Sequence, residues 1–173
     1  MKHLLRKEGF TIIEVSLVLA IAGIILTMAF IALPALQRQS RDAQRKTDAS
    51  KFITALKEYQ RNNRGALPAK GTENEGVYKA DDWSTFYADY LGSSISNPSG
   101  GSYSFVVLGD KNGSWPVGYT YEKVKAGTSS SNVDWYVYLS ATCENGEPKK
   151  SNNARNIAML VKLETGDVYC INN

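Results

Sequence analysis

The distribution of apolar residues divides the chain into two unequal parts. Residues 15–36 form a run of 22 residues without a charge. As a helix, this run would extend roughly 33 Å at about 1.5 Å per residue. Because the hydrocarbon core of a bilayer is roughly 30 Å thick, the run predicts a transmembrane helix.

The apolar run passes without a turn into a polar segment whose composition still favours a helix. No glycine or further proline interrupts the chain between Pro34 and Gly65. Apolar positions recur at spacings of three and four, which is typical of an amphipathic helix: Ala49, Phe52, Ile53, Leu56 and Tyr59. Nearby charged residues are expected on other faces: Arg41, Asp42, Arg45, Lys46 and Asp48. One helix over residues 10–63 is predicted, ended by Gly65 and Pro68.

The remainder of the chain predicts one short helix and several strands. The sequence DDWSTFYADYL has aromatic residues at helical spacing, which indicates a helix. Five later segments rich in Val, Tyr and Phe predict strands: YSFVVLG, VGYTYEKV, DWYVYLSAT, NIAMLVKLE and DVYCI. Turn residues separate them, and the separator TG is short enough for a tight antiparallel hairpin. We expect an antiparallel sheet that covers the apolar stripe of the long helix.

Most of the net positive charge lies before the apolar run. The net charge is +3, of which the first nine residues contribute +2 through Lys2, Arg6, Lys7 and Glu8. Basic residues at this position retain their end of a membrane helix in the cytoplasm, so the rest of the chain is predicted outside. The remaining +1 leaves no basic field, and nucleic acid is not expected as a direct ligand of the monomer.

The two cysteines, Cys143 and Cys170, both fall in the part predicted to lie outside. A disulfide between them is the economical interpretation of that placement. The alternative is two unrelated reduced cysteines.

Candidate chemistry is sparse. The single histidine, His3, lies among the first basic residues, so no Cys-His, Ser-His-Asp or histidine-rich metal set can be assembled. We therefore predict no enzyme, no cofactor and no metal. The sequence GDKNG lacks most calcium ligands and predicts a hairpin turn.

Aromatic residues along the predicted strands leave two possibilities open: an outward binding patch, or ordinary alternation with one face buried. The residues concerned are Tyr119, Tyr121, Trp135, Tyr136 and Tyr138. A membrane-anchored extracellular binding domain is the functional class that the first possibility would support.

The segment KEGFTIIEVSLVLAIAGIIL places Gly9, Phe10 and an acidic Glu14 between a short basic leader and the apolar run. A charge inside a spanning segment is costly and usually functional. In these features the segment resembles the class III signal sequences of type IV pilins and of the pseudopilins of type II secretion. The resemblance covers residues 1–63 in pattern, and more weakly the layout of the following head.

The resemblance implies that a prepilin peptidase cleaves between Gly9 and Phe10 on the cytoplasmic side and methylates the new amine of Phe10. That amine would be mostly protonated at neutral pH, since α-amino groups titrate near roughly 8. In the family, the carboxylate corresponding to Glu14 meets the terminal amine of an adjacent subunit, so Phe10 and Glu14 are the expected assembly residues. Gly23 and Pro34 bracket the segment that resembles the one that loosens in filaments.

The predicted fold class is α+β and type IV pilin-like: a long N-terminal helix, transmembrane in one half and amphipathic in the other, packed on an antiparallel sheet. Residues 37–173 are expected to form one globular head. The boundaries are 1–9, a cleaved leader; 10–36, the transmembrane and filament-core half of the helix; 37–65, its amphipathic half; 66–101, a connector with a short helix; and 102–173, the sheet with its disulfide loop.

The expected function is that of a structural subunit of a type IV pilus, with a role in adhesion, twitching motility or DNA uptake. The expected partners are the prepilin peptidase, other copies of the chain in a helical filament, the inner-membrane assembly machinery, and the membrane before assembly. The precursor is placed in the cell membrane and the assembled subunit at the cell surface. A pseudopilin of a secretion system, which shares the signature, is the alternative.

Overall fold

A computed structural model describes residues 9–68, 77–78, 83–92, 95–109, 115–116, 119–129 and 133–173. The chain divides into two compact units, Met1–Arg38 and Gln39–Asn173. The expected α+β class is confirmed, with one long helix and a five-stranded sheet as its main elements.

The long helix α1 comprises Ile12–Asn62, 51 residues, close to the predicted bounds. Its C-terminal end is closed by a hydrogen bond of 2.7 Å from the backbone N–H of Gly65 to the carbonyl of Gln60. This is the bond of a Schellman motif, in which the preceding residue adopts a left-handed conformation. Arg64 occupies that position with a φ of 56°.

A short helical segment follows, as predicted. It consists of α2 (Ser84–Phe86) and a π-helical turn, Tyr87–Leu91. The two aspartates that precede it in the sequence lie outside the described residues.

The main sheet has the order β1-β2-β3-β6-β7. Its strands are β1 (Val77–Tyr78), β2 (Phe105–Leu108), β3 (Trp135–Leu139), β6 (Ile157–Lys162) and β7 (Val168–Asn172). The TG hairpin is confirmed, because β6 and β7 are antiparallel neighbours. The expectation of a wholly antiparallel sheet is wrong, since β2 and β3 run parallel.

The parallel pair needs a crossover connection, and the segment predicted as the strand VGYTYEKV supplies its helix. Helix α3 (Tyr121–Lys125) lies between β2 and β3 in sequence. The alternation of Val and Tyr in this segment was misleading, because Val124 packs as the buried residue of a helical turn.

A second sheet contains two antiparallel strands, β4 (Ala141–Glu144) and β5 (Glu147–Lys150). The predicted strand DWYVYLSAT is therefore divided, and the break is at Ser140, whose φ is 53°. The segment ENGEPKK, predicted as a turn, forms the hairpin and all of β5.

The apolar stripe of α1 packs into the core, as predicted. Phe52 is fully buried and its ring lies 5.4–6.2 Å, between centroids, from four other aromatic rings. Such pairs contribute about 0.5–1.5 kcal/mol each beyond area burial. The four rings belong to Trp83, Phe86, Phe105 and Trp135.

Strand β3 is buried on both faces. Trp135, Val137 and Leu139 join the core cluster that includes Phe52. Tyr136 and Tyr138 join a second cluster on the opposite face, and the Tyr138 hydroxyl donates a 2.6 Å hydrogen bond to a backbone carbonyl. For Trp135, Tyr136 and Tyr138 both interpretations are therefore wrong, because β3 has neither an outward patch nor a single buried face.

Candidate functional site

The unit Met1–Arg38 carries the large exposed apolar side chains of the described part of the chain, all within residues 10–36. Exposure ranges from 48% for Val15 to 88% for Phe10. By length and composition the stretch is apolar enough to cross a membrane, and its most apolar part has no buried residue. Exposed apolar patches of this extent mark contacts with lipid or with other proteins.

Gly9 and Phe10 lie before the first turn of α1 and are exposed. A Cβ built on Gly9 would meet no atom within 4 Å. None of the described residues therefore blocks access of an enzyme to the peptide bond between Gly9 and Phe10. Exposure alone does not identify the Gly9–Phe10 bond as a cleavage site. That assignment depends on the residues next to the bond.

Glu14 forms a capping box with Thr11 at the start of α1. The backbone N–H and the hydroxyl of Thr11 both donate to Glu14 Oε2 at 2.8 Å, and the N–H of Glu14 donates to Thr11 Oγ1 at 3.3 Å. Such reciprocal bonds satisfy backbone donors that a helix N-terminus otherwise leaves unpaired. The second carboxylate oxygen, Oε1, accepts no hydrogen bond from the described residues.

Phe10 and Glu14, the two expected assembly residues, line the same surface groove. The groove has a volume of about 430 Å³, and its other lining residues are Val15, Val18 and Leu19. Its walls are apolar apart from the Glu14 carboxylate. A partner that fills this groove would thus bring apolar surface and one group that binds a carboxylate.

Gly23 and Pro34 are both inside the continuous helix α1. The Thr27 hydroxyl donates a 2.8 Å hydrogen bond to the carbonyl of Gly23, a type of contact that often accompanies helix bending. Pro34 has no N–H to donate to the carbonyl four residues before it. A second apolar groove of about 310 Å³ lies along this part of α1 and is lined by Phe30, Leu33 and Leu36 among others.

The disulfide is present. Cys143 of β4 and Cys170 of β7 are bonded, with their Cα atoms 5.9 Å apart and a sequence separation of 27. The bond connects the small sheet to the edge strand of the main sheet. A loop of this length gives about 3.5 kcal/mol of stabilisation in the chain-entropy model.

Three charged residues of α1 are buried, although the sequence pattern predicts them on faces other than the apolar stripe. Asp42, Arg45 and Asp48 have exposed fractions of 5%, 7% and 2%. They contact the turn between β6 and β7 and two preceding loops. We call the group formed by Arg41, Asp42, Arg45, Asp48 and Glu164 the ionic cluster.

Arg45 is the centre of the ionic cluster. Its guanidinium donates to the Ser99 hydroxyl at 2.8 Å and to the Lys162 carbonyl at 3.2 Å, and it lies 3.3 Å from Glu164 Oε1 and 3.7 Å from Asp134 Oδ1. Removing one partner from such a buried set leaves an uncompensated charge, which costs about 3–5 kcal/mol. The cluster therefore fixes one register between α1 and the sheet.

Two residues at the ionic cluster, Glu164 and Tyr103, have shifted pKa values. The hydrogen bonds from Arg41 and then from Ser99 lower the pKa of Glu164 to about 2. Asp48 accepts a 3.1 Å hydrogen bond from the Tyr103 hydroxyl. Burial, followed by the charge of Asp48, raises the pKa of Tyr103 above its ordinary value.

No group of three or more His, Cys, Asp or Glu side chains in the described ranges could hold a metal ion. The GDKNG segment, apart from its first glycine, lies outside those ranges. The chain matches no family model, no curated protein and no solved structure. The geometry of its own residues therefore carries the functional argument.

Proposed function

We propose that the chain is a structural subunit of a type IV pilus. It is made as a membrane-anchored prepilin, and a prepilin peptidase cleaves it between Gly9 and Phe10 and methylates the new amine. The inner-membrane assembly machinery then polymerises the mature chains through their apolar helices. The filament, displayed at the cell surface, performs adhesion, motility or DNA uptake.

The observation that carries the proposal is the exposed apolar surface of residues 10–36 with a single carboxylate, Glu14, at its beginning. A surface of this kind needs a bilayer or a set of similar helices around it. In the precursor the bilayer covers it. In the filament, neighbouring copies of α1 replace the lipid.

The geometry around the proposed cleavage site supports the same sequence of events. Gly9 has no side chain to obstruct a protease, and the bond after it precedes the helix. Cleavage places a cationic amine on Phe10, directly before the capping residue Thr11. The capping box between Thr11 and Glu14 fixes the start of α1 at Ile12. The mature chain would therefore have only Phe10 and Thr11 before the helix.

Glu14 can cap its own helix and bind a neighbour at once. Oε2 is engaged by Thr11, while Oε1 accepts nothing from the described residues. In a bundle of apolar helices, an unpaired carboxylate is costly and a cationic partner offsets that cost. The amine of an adjacent mature subunit supplies the charge, and this pairing sets the register between subunits.

Mass spectrometry of the N-terminus in sheared cell-surface material tests the proposal. The expected product is a mature chain that begins at N-methylated Phe10. Retention of residues 1–9 in surface filaments, or an unmethylated Phe10, contradicts it. The pseudopilin alternative gives the same mature terminus but leaves the chain absent from surface fibres.

Two substitutions at Gly9 sharpen the test. A Gly9→Val chain introduces a branched side chain next to the scissile bond and is expected to accumulate as uncleaved precursor in the membrane. Gly9→Ala adds only one carbon and serves as the matched control, with cleavage retained. Equal cleavage of both variants would contradict the requirement for close approach at Gly9.

A further inference from the structure

Four cationic side chains line one open groove at the C-terminal end of α1, within the unit Gln39–Asn173. The groove has a volume of about 620 Å³ and is lined by Lys57, Gln60, Arg61, Arg64, Gly65 and Arg155. Three of the cations come from α1 and the residues that end it. Arg155 comes from the segment between β5 and β6. We call this the basic groove.

The cations of the basic groove form no ion pair with a carboxylate of the described residues. Other cations of the same unit do: Arg41 pairs with Glu164 at 2.7 Å, and Lys149 with Glu147 at 3.0 Å. The prediction that the head has no basic field rests on the net charge of +1 after residue 9. A nearly neutral chain can still concentrate positive charge at one place, as here.

The helix dipole explains only part of this charge. Cations near a helix C-terminus are favoured by its partial negative charge, which amounts to about half an elementary charge. That effect suits Arg61, in the last turn of α1. It gives no reason for Arg155, which belongs to another element of the fold.

Arg155 is held in place from two sides. Its backbone carbonyl accepts hydrogen bonds from Gln60 Nε2 at 3.0 Å and from Asn173 Nδ2 at 2.8 Å. Its guanidinium lies directly over Gly65, where an added Cβ would be 2.5 Å from Arg155 Nε. The absence of a side chain at Gly65 thus allows the guanidinium to sit against the end of α1.

Arg64 is the strained member of the groove. Its φ of 56° is a conformation that helices usually assign to glycine at this position. Non-glycine residues in this region cluster at functional sites, where the surrounding structure maintains them. An arginine here adds a guanidinium to the groove at a cost that a glycine would avoid.

We propose that the basic groove binds phosphate groups, independently of any role in filament assembly. Planar guanidinium forks match tetrahedral oxyanions through paired charge-assisted hydrogen bonds. Four cations around one groove provide more positive charge than a single phosphate neutralises. A ligand with several linked phosphate groups therefore binds more tightly than free phosphate.

Isothermal titration calorimetry on the full chain in a non-ionic detergent tests this assignment. Inorganic phosphate and inorganic tripolyphosphate are titrated separately at low salt, because exposed charges are screened at higher ionic strength. The Arg61→Gln/Arg155→Gln chain is expected to bind tripolyphosphate at least about tenfold more weakly, since charge-assisted hydrogen bonds are lost. Lys123→Gln/Lys125→Gln removes the same charge from α3 and is expected to retain the wild-type affinity.

A third variant separates geometry from charge. Arg155→Lys keeps the charge and loses the fork, so its affinity should fall between those of the wild type and the double glutamine variant. Binding of tripolyphosphate without measurable binding of phosphate supports a ligand with linked phosphate groups. Binding of both probes supports a site that accepts either free phosphate or linked phosphate groups. Absence of binding by the wild type, or equal weakening in the Lys123/Lys125 control, overturns the proposal. The urea midpoint of each variant verifies that the head is folded.

Discussion

The carboxylate of Asp42 on α1 accepts a hydrogen bond of 2.7 Å from the backbone N–H of Glu164, 122 residues later in the chain. The N–H of Thr165 donates to the other carboxylate oxygen at 3.3 Å. Asp42 therefore binds the β6–β7 turn in the manner of a cap. Because the donors are backbone groups of a hairpin turn, the contact fixes where that turn lies along the helix.

Replacing this carboxylate should destabilise the head. Asp42→Ala leaves two turn N–H groups without their acceptor, and we expect the free energy of unfolding to fall by about 2 kcal/mol. Asp42→Asn keeps one acceptor oxygen and should lose less. Urea unfolding of the full chain in detergent, followed by the fluorescence of the buried Trp83 and Trp135, measures the change.

An exposed aspartate provides the matched control. Asp89, on the π-helical turn, is exposed, and its replacement by alanine should change stability by no more than about 0.5 kcal/mol. Equal effects at Asp42 and Asp89 would show that the Asp42 contact contributes nothing specific.

The depressed pKa of Glu164 makes stability depend on acidity in a defined window. Its pKa is about 2 in the folded chain, against about 4.3 in an unfolded one. The unfolded state therefore binds the proton first, and the stabilisation by Glu164 is complete above about pH 4.3. It decreases as the pH falls toward about 2, where the folded state also binds the proton.

The difference between wild type and Glu164→Gln isolates this contribution from those of other carboxylates. We expect the difference in the free energy of unfolding to be constant near neutral pH and to shrink between pH 4.3 and 2. Arg41→Gln removes the main cause of the shift and should narrow the window. Parallel pH profiles for wild type and Glu164→Gln across this range would contradict the assignment.

Sequence periodicity located α1 well but misplaced its charged residues. Positions 42, 45, 49, 52, 56 and 59 continue one spacing of three and four, so Asp42 and Arg45 extend the buried stripe toward the N-terminus. The apolar members of this spacing begin only at Ala49, so apolar periodicity alone does not include Asp42 and Arg45 in the stripe. Charged residues can occupy such positions when distant partners satisfy them, and Glu164 gives no local signal of that role.

Prediction of the strands from local sequence is limited in the same way, because burial depends on distant parts of the chain. Alternation in a strand predicts one buried face, but β3 is central and α3 with its neighbours covers its second face. The signal for α3 was weak, because five residues of helix are too few for a periodic pattern. The parallel pairing of β2 and β3 requires a crossover connection, and α3 lies within it. A strand prediction for this segment therefore also favoured the wrong strand direction.

The disulfide should contribute substantially to the stability of the head. A Cys143→Ala/Cys170→Ala chain is expected to lose about 3.5 kcal/mol in the free energy of unfolding, because its unfolded state is no longer constrained by the loop. Exported wild-type protein should resist thiol reagents and gain the mass of two hydrogens on reduction. Free thiols at both positions in exported protein would contradict the bond.

Glu14 should be essential to assembly through its charge rather than through its cap. Glutamine also serves at this position of a capping box, so Glu14→Gln keeps an acceptor for Thr11. The variant should insert into the membrane and fold its head normally, yet form no surface filaments, because no charge remains to pair with a neighbouring amine. Immunoblots of sheared and membrane fractions measure both outcomes, and Glu14→Ala should behave in the same way.

Thr11→Val is the complementary change, because it removes the hydroxyl from the capping box and leaves the carboxylate charged. Loss of an N-cap side chain costs about 1 kcal/mol, which bilayer insertion of the long apolar helix outweighs. Filaments should therefore still form. If Glu14→Gln assembles normally while Thr11→Val does not, helix capping determines assembly and the charge-pairing argument fails.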